Sequence, residues 1–519
     1  MTYQIGIDVG GTNTDAIILD ERHKVIAATK QHTTKDIQTG ISNALHDVLN
    51  QSGVNLDHIT DVMLGTTQAT NAIVERKSLA TVGVIRLGYP ATASIVPFTE
   101  WPSDMVSLLS GTYQLVHGGY EFDGTNISPI DYNEIRKVLK DLKGKVDSIA
   151  IVGVFSSLNP DQEETVKKLA TEILGNVPIS ISSKIGSLGL IARENATILN
   201  ASLYKVINKV AIGFDKALQD EGVKSCNKYL TQNDGTLMTL DYAKQYPILT
   251  IGSGPTNSIR GAAYLAKIKE ALVLDIGGTT SDIGVLVNGF PRESSLAVNV
   301  GGIQTNFRMP DILSVGLGGG SIVRQLDNGD VTVGPDSVGY NITHESLVFG
   351  GQTITATDIA VAMGIAKVGD PTKVKKLDKL FINKAFRKIS TILEDAIDKM
   401  KTSAEKVDLI LVGGGAIIAP EYLKGIDHIF RDERGGVANA IGATIAQIGG
   451  QYEKIYQYAQ YKRMDALYDT QELAKKQAIQ AGANPESIHL VDIEEMPLAY
   501  APGETTKVKV KVVGDFMKN

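Results

Sequence analysis

"IGIDVGGTNTDAIIL", residues 5–19, reads as an apolar strand that carries an aspartate, turns on glycine and threonine, and returns as a second strand. The stretch "LVLDIGGTTSDIGVL", residues 272–286, repeats this pattern 267 residues later. One copy is compatible with an ordinary strand turn, but a matched second copy predicts two similar halves that hold one ligand between them. The matched residues are Asp8, Gly10, Gly11, Thr12 and Asp15 in the first copy, and Asp275, Gly277, Gly278, Thr279 and Asp282 in the second.

Length and composition limit the class of protein. A chain of 519 residues is too long for one core, so two or three domains are expected. The net charge of −7, without long runs of one sign, argues against a nucleic-acid or membrane-surface partner. The single cysteine, Cys226, excludes an intrachain disulfide, and its polar surroundings predict an incidental surface thiol. With neither a leader-like start nor an apolar stretch of about 18 residues, we expect a cytoplasmic protein.

Strand and helix patterns alternate along most of the chain, which predicts an α/β protein. A second correspondence supports two similar halves, because "KVDSI" at 145–149 recurs as "KVDLI" at 406–410. Each reads as a buried strand that follows a lysine-rich helix. The glycine-rich loop after this strand is much stronger in the second half, "LVGGGA", than in the first, "IVGVFS".

The residue types of the hairpins suit a phosphate ligand with its metal. Glycine has no Cβ, so the turns can bring backbone N–H groups close to phosphate oxygens. Hydroxyl and amide side chains add donors. Asp8 and Asp275 would repel a phosphate but could hold a hydrated Mg²⁺ or orient a water molecule. The predicted phosphate-binding donors are Gly10, Gly11, Thr12, Asn13 and Thr14, with Gly277, Gly278, Thr279, Thr280 and Ser281.

Other glycine-rich segments give weaker signals. "IGSGPTNSIRGAAYLAK", 251–267, is only a partial Rossmann match and is read as a strand-to-helix turn whose helix N-terminus could bind an anion. "VGLGGGS", 315–321, is interpreted as facing the ligand, with a flexible linker as the alternative. A P-loop is absent from the sequence, and the histidines lack metal-ligand spacing.

The two hairpins followed by a GGG loop resemble the actin-like ATPase superfamily, and finer motifs resemble its hydantoinase/oxoprolinase proteins of the N-methylhydantoinase A type. The resemblance covers nearly the whole chain and implies a two-lobed, duplicated ribonuclease H-like α/β fold. The motifs that carry it are "IGIDVGGTNTDAIIL", "LGTTQATNAIVERK", "RENATILNASL", "TQNDGTLM", "GSGP", "LDIGGTTSDIGVL" and "SVGLGGGSI".

The family resemblance also implies roles for individual residues. Asp8 and Asp275 match the catalytic and metal-holding carboxylates, and Gly413, Gly414 and Gly415 match the loop that packs on adenosine, helped by the small-residue helix 437–446. Gly65, Thr66, Thr67 and Asn71 match a turn near the substrate, although they could also be a normal helix entrance. The "RENAT" segment, 193–197, matches a central helix of the family. Alternatively, Arg193 and Glu194 are only a surface ion pair.

Three departures from the family pattern concern the substrate. Leu64 stands where a histidine usually precedes the GTT turn, "YNITHESLVFGG" replaces a cysteine-containing segment, and the chain is shorter than the usual enzymes. The resemblance predicts three regions: 1–185 with the first hairpin, 186–450 with the second hairpin and adenosine loop, and a strand-rich appendage, 451–519.

The expected function is ATP- and Mg²⁺-dependent hydrolysis of a cyclic amide such as a hydantoin or 5-oxoproline. The family picture has the lactam oxygen phosphorylated before water attacks the ring carbon, whereas relatives carboxylate ketones. We expect a homo- or hetero-oligomer, with a second enzyme subunit as the partner. The alternatives are a small-molecule kinase of the same superfamily and a chaperone-like, reactivating ATPase.

Overall fold

The computed structural model describes residues 1–11, 13–34, 36–294, 298–307, 309–499 and 503–517. The strands are β1 Tyr3–Val9, β2 Asn13–Asp20, β3 Val25–His32, β4 Ile59–Thr66, β5 Val82–Tyr89, β6 Thr112–His117, β7 Ser148–Gly153, β8 Ile179–Ile181, β9 Asn227–Thr231, β10 Leu237–Thr239, β11 Ala271–Ile276, β12 Ser281–Val287, β13 Phe290–Pro291, β14 Val298–Val300, β15 Ile303–Thr305, β16 Ile312–Val315, β17 Ser321–Gln325, β18 Val331–Ser337, β19 Val407–Val412, β20 Ile426–Arg431, β21 Ile448–Gln457, β22 His489–Pro497 and β23 Thr505–Gly514. The helices are α1 Ile37–Ser52, α2 Gln68–Val74, α3 Ser103–Leu108, α4 Tyr132–Leu142, α5 Asp161–Leu174, α6 Leu190–Ser202, α7 Tyr204–Asp220, α8 Leu240–Gln245, α9 Ser253–Ala266, α10 Ile342–Glu345, α11 Ala356–Ala362, α12 Lys379–Met400, α13 Ala438–Thr444 and α14 Arg463–Ala481.

Two sheets repeat one arrangement of strands. In the first, the order β3-β2-β1-β4-β9 places β1 antiparallel to β2 and parallel to β4. In the second, β12-β11-β19-β20 repeats this order, with β11 antiparallel to β12 and parallel to β19. Strand β16 takes the place of β3 by pairing with β12. The expected duplicated, two-lobed α/β fold is confirmed.

The predicted correspondence between "KVDSI" and "KVDLI" is wrong for the first segment. Strand β19 contains "VDLI" and is largely buried, as expected, and it pairs with β11. Its counterpart "KVDSI" leads into β7, which belongs to a separate parallel sheet, β6-β5-β7-β8, with its own apolar core. The strand of the first lobe that is equivalent to β19 is β4, because β4 pairs in parallel with β1 as β19 pairs with β11. Both segments are buried parallel strands after a helix, so local pattern alone does not distinguish them.

The C-terminal strands continue the first sheet. Strand β21 pairs in parallel with β10 and antiparallel with β23, and β22 forms the edge. The nine-stranded sheet therefore runs β22-β23-β21-β10-β9-β4-β1-β2-β3. The division of the chain after residues 185 and 450 stays a prediction. Within the part of the chain that the structure describes, none of the helices has the length and apolar character needed to cross a membrane.

Helices α9 and α13 cross between the two sheets. Helix α9 packs against β11, β12 and β19 of the second sheet, and α13 packs against β1, β2 and β4 of the first. Their backbones touch: a Cβ at Gly442 would lie 1.8 Å from the carbonyl oxygen of Asn257, and one at Gly261 would lie 1.9 Å from that of Ala438. Since only glycine allows this approach, the small residues of 437–446 serve the crossing, which brings both helices to the first hairpin.

Candidate active site between the two hairpins

The two hairpin turns are closed in the same way. Gly10 N donates to Asn13 O at 3.0 Å, and Gly277 N donates to Thr280 O at 2.9 Å. These two N–H groups are therefore used inside the turns, which corrects the expectation that they bind phosphate. Most other turn residues are half-buried or exposed and stay candidates, namely Gly11, Asn13, Gly278, Thr279 and Thr280. Thr12, also predicted to bind phosphate, lies outside the described residues.

Two of the predicted hydroxyl donors face the interior. Thr14 and Ser281 occupy equivalent positions, opposite Val9 and Ile276, and both are completely buried. The Thr14 hydroxyl lies 3.3 Å from that of Thr33, and Ser281 Oγ donates to Leu317 O at 2.6 Å. This placement corrects the expectation that the two hydroxyls contact phosphate. They hold the hairpins from behind instead.

Asp8 is held by one amide from each crossing helix. Its Oδ1 accepts from Asn257 Nδ2 at 3.1 Å, and its Oδ2 accepts from Asn439 Nδ2 at 3.2 Å. The side chain is only 3% exposed. Burial and, secondarily, the charge of Asp15 raise the pKa of Asp8 to about 6, whereas the two amides lower it. Asp8 is thus fixed in direction and close to titration near neutral pH.

Lys30 connects the first hairpin to the second lobe. Its Nζ lies 2.9 Å from Asp15 Oδ2 and 2.9 Å from the carbonyl oxygen of Gly436. Asp15 faces Asp8 across the strand pair, and burial raises its pKa, while Lys30 lowers it and the charge of Asp275 raises it further. Asp275 belongs to the second hairpin, so its effect on the pKa of Asp15 acts between the two hairpins.

The second hairpin carries the equivalent pair of carboxylates. Asp275 faces Asp282 across the strand pair, and burial raises the pKa of both. Burial raises the pKa of Asp282 to about 6, while the hydrogen bond from Ser314 lowers it and the charge of Asp275 raises it. Two buried carboxylates, Asp8 and Asp15, and two half-buried ones, Asp275 and Asp282, thus lie on the two hairpins, with Lys30 beside Asp15.

The GGG loop packs against the second hairpin. Gly415 N donates to Ile276 O at 2.7 Å, and Gly413 N donates to Gly435 O at 3.0 Å. A Cβ at Gly413, whose φ is +88°, would lie 2.2 Å from Asp275 Oδ1. Gly414 is exposed, and a Cβ there would meet nothing within 4 Å. The outer surface of Gly414 is therefore the part of the loop that can contact a ligand, and its role at adenosine stays a prediction.

The loop 315–321 lies behind this hairpin. Gly319 N donates to Gly277 O at 3.0 Å, and Gly320 N donates to Gly278 O at 2.7 Å. These N–H groups bind the protein backbone, so the interpretation that they face the ligand is wrong. The loop supports the turn from the protein side.

The turn 65–71 combines a close contact to Asp8 with helix-entrance bonds. A Cβ at Gly65 would lie 2.2 Å from Asp8 Oδ1 and 2.5 Å from Asn257 Nδ2. Thr66 Oγ1 accepts from Gln68 N at 3.2 Å, and Thr67 Oγ1 donates to Val9 O at 3.3 Å and accepts from Asn71 Nδ2 at 3.3 Å. Gly65 therefore makes room for the Asp8 carboxylate, while substrate contact by the other three residues stays a prediction.

The "RENAT" residues form a buried network rather than a surface pair. Arg86 makes two bonds to Glu194, at 2.7 and 2.5 Å, with both side chains buried. Arg193 donates to Gly153 O at 2.7 Å, and Asn195 accepts from Trp101 Nε1 at 2.8 Å. Because each partner lies in or beside the sheet β6-β5-β7-β8, this network fastens that sheet to α6. Breaking such a buried charge pair is costly, which explains these residues structurally.

The carboxylates between the hairpins fit a hard divalent cation. Asp15 Oδ1 is buried and without a hydrogen-bond partner in the described part of the chain. Carboxylate oxygens are the ligands that Mg²⁺ prefers, and it retains most of its waters. The one described group of three close metal-ligand side chains, Asp408, Asp427 and His428, is mostly exposed and belongs to β19 and β20. Binding of a hydrated Mg²⁺ by Asp8 and Asp275 stays a prediction.

Sequence reasoning found both hairpins but missed their supports. Asp15 and Asp282 were visible as matched positions of the repeat, without an assigned role. Lys30, Asn257 and Asn439 had no signal in spacing, because they reach the site from a third strand and two crossing helices. Cys226 is half-buried, and burial raises the pKa of its thiol to about 11, so it is not a reactive thiolate.

Comparison with known proteins places this architecture in a family. The family models "Hydantoinase/oxoprolinase N-terminal region" and "Hydantoinase/oxoprolinase" match residues 4–174 and 193–406. The caprolactamase subunit alpha of Pseudomonas jessenii is 27% identical over 385 residues, 70% of this chain and 54% of that protein. The 5-oxoprolinase 1 of Arabidopsis thaliana is 25% identical over 431 residues, 74% of this chain and 33% of that protein.

A solved structure shows the same fold. The ATP-dependent caprolactamase from Pseudomonas jessenii superposes with a TM-score of 0.77 at 19% identity, covering 98% of this chain and 87% of that chain. In the sequence comparisons, the chain spans about half the length of the curated caprolactamase subunit and a third of the 5-oxoprolinase. The two matched ranges carry both hairpins and most of the fold, and the chain belongs to the hydantoinase/oxoprolinase family.

Proposed function

We propose that this chain hydrolyses a cyclic amide at the expense of ATP, as one subunit of an assembly. The observation that carries the proposal is the pair of matched hairpins, each with two aspartates facing across its strands, which Lys30 connects through Asp15 and Gly436. Glycine turns on both sides of that space suit a polyphosphate. Relatives named caprolactamase and 5-oxoprolinase support a lactam as the second substrate, and the name "subunit alpha" supports a partner subunit.

Phosphoryl transfer would proceed between the hairpins. The lactam oxygen forms a bond to the γ-phosphorus of ATP while the bond to the β-phosphate oxygen breaks, which releases ADP. Water then adds to the ring carbon, the carbon–nitrogen bond and the bond to phosphate break, and the products are phosphate and an open-chain amino acid. Positioning and charge stabilisation supply most of the barrier reduction in such transfers.

The position of each residue in the cleft indicates which part of the substrates it would contact. Gly11, Asn13, Gly278, Thr279 and Thr280 would hold the phosphates. Asp8 and Asp275 would hold a hydrated Mg²⁺, which neutralises phosphate charge. Gly414 would contact the adenosine, and the turn of Thr66, Thr67 and Asn71 would border the lactam. Lys30 would tie the lobes together through Asp15 and Gly436.

The test measures ATP turnover by the full chain with Mg²⁺ and separate candidate substrates. Lactams, hydantoin, sugars, a ketone with bicarbonate, and candidate partner proteins are compared. We expect ADP and ring-opened product in equal amounts with a lactam. A stable phosphorylated sugar would indicate a kinase, and ADP formed with a partner protein in the absence of any lactam would indicate a reactivating ATPase.

The phosphorylation step can be examined without a second subunit. ATP labelled with ¹⁸O in the β,γ-bridge scrambles the label if γ-phosphoryl transfer to the lactam is reversible. We expect scrambling that requires the lactam. Nucleotide binding without lactam-dependent scrambling or hydrolysis would contradict the proposed reaction.

A further inference from the structure

Each hairpin extends into a row of three side chains on one face of its sheet. In the first lobe, Asp8 lies opposite Asp15 on the strand pair β1 and β2, and Asp15 lies opposite Lys30 on β2 and β3. Residues directly opposite each other in antiparallel strands project from the same face of the sheet. We call Asp8, Asp15 and Lys30 the first row.

The second lobe repeats the row with a different third residue. Asp275 lies opposite Asp282, and Asp282 lies opposite Ser314 on β16, which together form the second row. In both rows the third residue donates to the second aspartate. Lys30 Nζ donates to Asp15 Oδ2 at 2.9 Å, and Ser314 Oγ donates to Asp282 Oδ1. The equivalent position therefore carries an ammonium group in the first row and a neutral hydroxyl in the second.

The ammonium group of Lys30 lies in the cleft between the lobes. Its Nζ donates to Gly436 O at 2.9 Å, and the neighbouring Gly435 O accepts from Gly413 N at 3.0 Å. A Cβ at Gly413 would lie 2.2 Å from Asp275 Oδ1. The charge of Lys30 accordingly lowers the pKa of Asp275, as well as the pKa of both aspartates in its own row. Lys30 thus acts on carboxylates of both hairpins.

Lys30 keeps one hydrogen-bond donor unused. An ammonium group has three N–H donors and no acceptor. In the part of the chain that the structure describes, Lys30 Nζ bonds only Asp15 and Gly436. The side chain is 39% exposed, so the third N–H is accessible to a ligand in the cleft. A compact cation with a free donor suits an anionic oxygen, such as that of a phosphate.

The position of Lys30 favours contact with the terminal phosphate of a nucleotide. Under the proposed function, the adenosine lies at Gly414 in the second lobe, and the lactam lies at the turn 65–71 beside Asp8. The phosphate that is transferred lies between them, at the end nearer the first row. It brings negative charge into a cleft with four aspartates, and a fixed cation offsets their repulsion.

We propose that the third N–H of Lys30 donates to the terminal phosphate of bound ATP, so that Lys30 distinguishes ATP from ADP. The inference rests on the proposed function for the position of the nucleotide. With ATP bound, Lys30 joins three groups: Asp15 of the first lobe, Gly436 and the terminal phosphate. Once this phosphate has left, the third bond is lost and only the two protein bonds remain.

The test compares the binding of AMP-PNP, a non-hydrolysable ATP analogue, with the binding of ADP, by calorimetry on the full chain with Mg²⁺. Lys30→Met removes the ammonium group and keeps an unbranched side chain. We expect AMP-PNP to bind at least about tenfold more weakly, because a hydrogen bond between charged groups is lost, and the ADP affinity to change less than about twofold. Equal weakening of both nucleotides would show that Lys30 only holds the lobes together, and unchanged AMP-PNP affinity would exclude the contact. Either result would overturn the proposal.

Two further variants remove the effect of leaving Asp15 without its cation. Asp15 is buried, so Lys30→Met is expected to lower the melting temperature. Asp15→Asn keeps Lys30, and the preference for AMP-PNP over ADP should persist. The double variant Asp15→Asn with Lys30→Met leaves no unpaired charge, so it should recover stability and still show the selective loss of AMP-PNP binding. A wild-type preference in the double variant would contradict the proposal.

Two controls match Lys30 in different respects. Lys454 lies on β21 of the same sheet, is 34% exposed, and its Nζ lies 2.8 Å from Asp469 of α14. Lys454→Met should change neither affinity, because this ion pair joins β21 to α14 away from the hairpins. Ser314→Ala alters the equivalent position of the second row, and the ratio of the two affinities should stay as in the wild type because no charge is lost. A selective loss of AMP-PNP affinity in Lys454→Met as large as in Lys30→Met would overturn the proposal, since it would be a general effect of charge.

Failure of this inference and failure of the proposed function are distinguishable. Lactam-dependent ATP turnover by the wild-type chain, with equal loss of AMP-PNP and ADP affinity in Lys30→Met, would keep the function and reject the phosphate contact. Selective loss of AMP-PNP affinity in Lys30→Met, without any lactam-dependent turnover or isotope scrambling by the wild-type chain, would keep the contact and reject the lactam reaction.

Discussion

The two hairpins have nearly the same sequence and the same turn, but different residues support them. In the first, side chains fix the carboxylate: Asn257 and Asn439 hold Asp8. In the second, the Ser258 hydroxyl of α9 lowers the pKa of Asp275, and backbone groups add support: Gly413 and Gly415 lie against Asp275 and its neighbours, and Gly319 and Gly320 bind the turn from behind. Duplication thus repeats the fold, while the surroundings determine how each carboxylate is oriented and how its pKa is set.

The largest effect is expected from removing the charge of either central carboxylate. Asp8→Asn and Asp275→Asn should each lower nucleotide turnover by a factor of about 10² to 10³ or more, because the charge that organises metal and water is lost at constant size. Steady-state ADP release and circular dichroism check activity and folding. Wild-type turnover in either variant would show that the two carboxylates are not both needed.

The next largest loss of turnover is expected at the two glycines that lie against the central carboxylates. Gly65→Ala places a methyl group 2.2 Å from Asp8 Oδ1, and Gly413→Ala places one 2.2 Å from Asp275 Oδ1. Both should reduce turnover at least about tenfold, and Gly413→Ala should also reduce stability, since its φ is +88°.

Gly414 supplies the matched control in the same loop. Gly414→Ala should keep stability and most activity, because no atom lies within 4 Å of the new methyl group. Gly414→Val should weaken ATP binding by calorimetry, since a larger side chain hinders close approach to the backbone. Unchanged ATP affinity in Gly414→Val would remove the adenosine role from this loop.

A smaller effect tests the side-chain support of the first hairpin. The amide of Asn439 lowers the pKa of Asp8, so Asn439→Ala should raise that pKa above about 6. The acid limb of the pH–rate profile should move upward by about half to one pH unit, with wild-type rates recovered at higher pH. Asn439→Asp is not a suitable rescue because it adds a like charge, whereas Asn439→Gln retains the amide.

The same substitution has a defined effect on stability without metal. The folded pKa of Asp8 is raised above that of an unfolded aspartate, so its proton stabilises the fold below about pH 4 and this contribution is lost as pH rises through about 6. In Asn439→Ala the loss should extend to higher pH. Urea unfolding between pH 4 and 8 measures it, and an identical pH dependence in both proteins would show that Asn439 does not tune Asp8.

The smallest effect is expected from the threonines of the GTT turn. Replacing Thr66 and Thr67 with Val removes two hydroxyls, one of which bonds Val9 O, at a cost of about 1 kcal/mol in stability. We expect the substrate-stimulated rate to fall more than the basal rate. Equal loss would assign the threonines to ATP, no loss would leave them as helix-entrance residues, and the double Ser variant should restore function.

The fold was predictable to the extent that local pattern carries it. The repeated hairpins, the alternation of strand and helix, and the family motifs predicted two α/β lobes. The first-lobe equivalent of β19 was not predictable. Strands β4 and β7 are both short, buried parallel strands, and only strand pairing distinguishes them. Likewise, the buried Thr14 and Ser281 alternate along a strand like exposed hydroxyls, and only packing shows which face is covered.

The sequence by itself determined that two glycine-rich turns each follow a strand aspartate, because Gly, Asp and Thr at fixed spacing have limited local conformations. Only the tertiary structure decided which groups orient those aspartates. Asn257 and Asn439 lie 182 positions apart and meet at Asp8 because α9 and α13 cross on Gly261 and Gly442. Such contacts depend on the distance between helix axes, and that distance results from the packing of both sheets together.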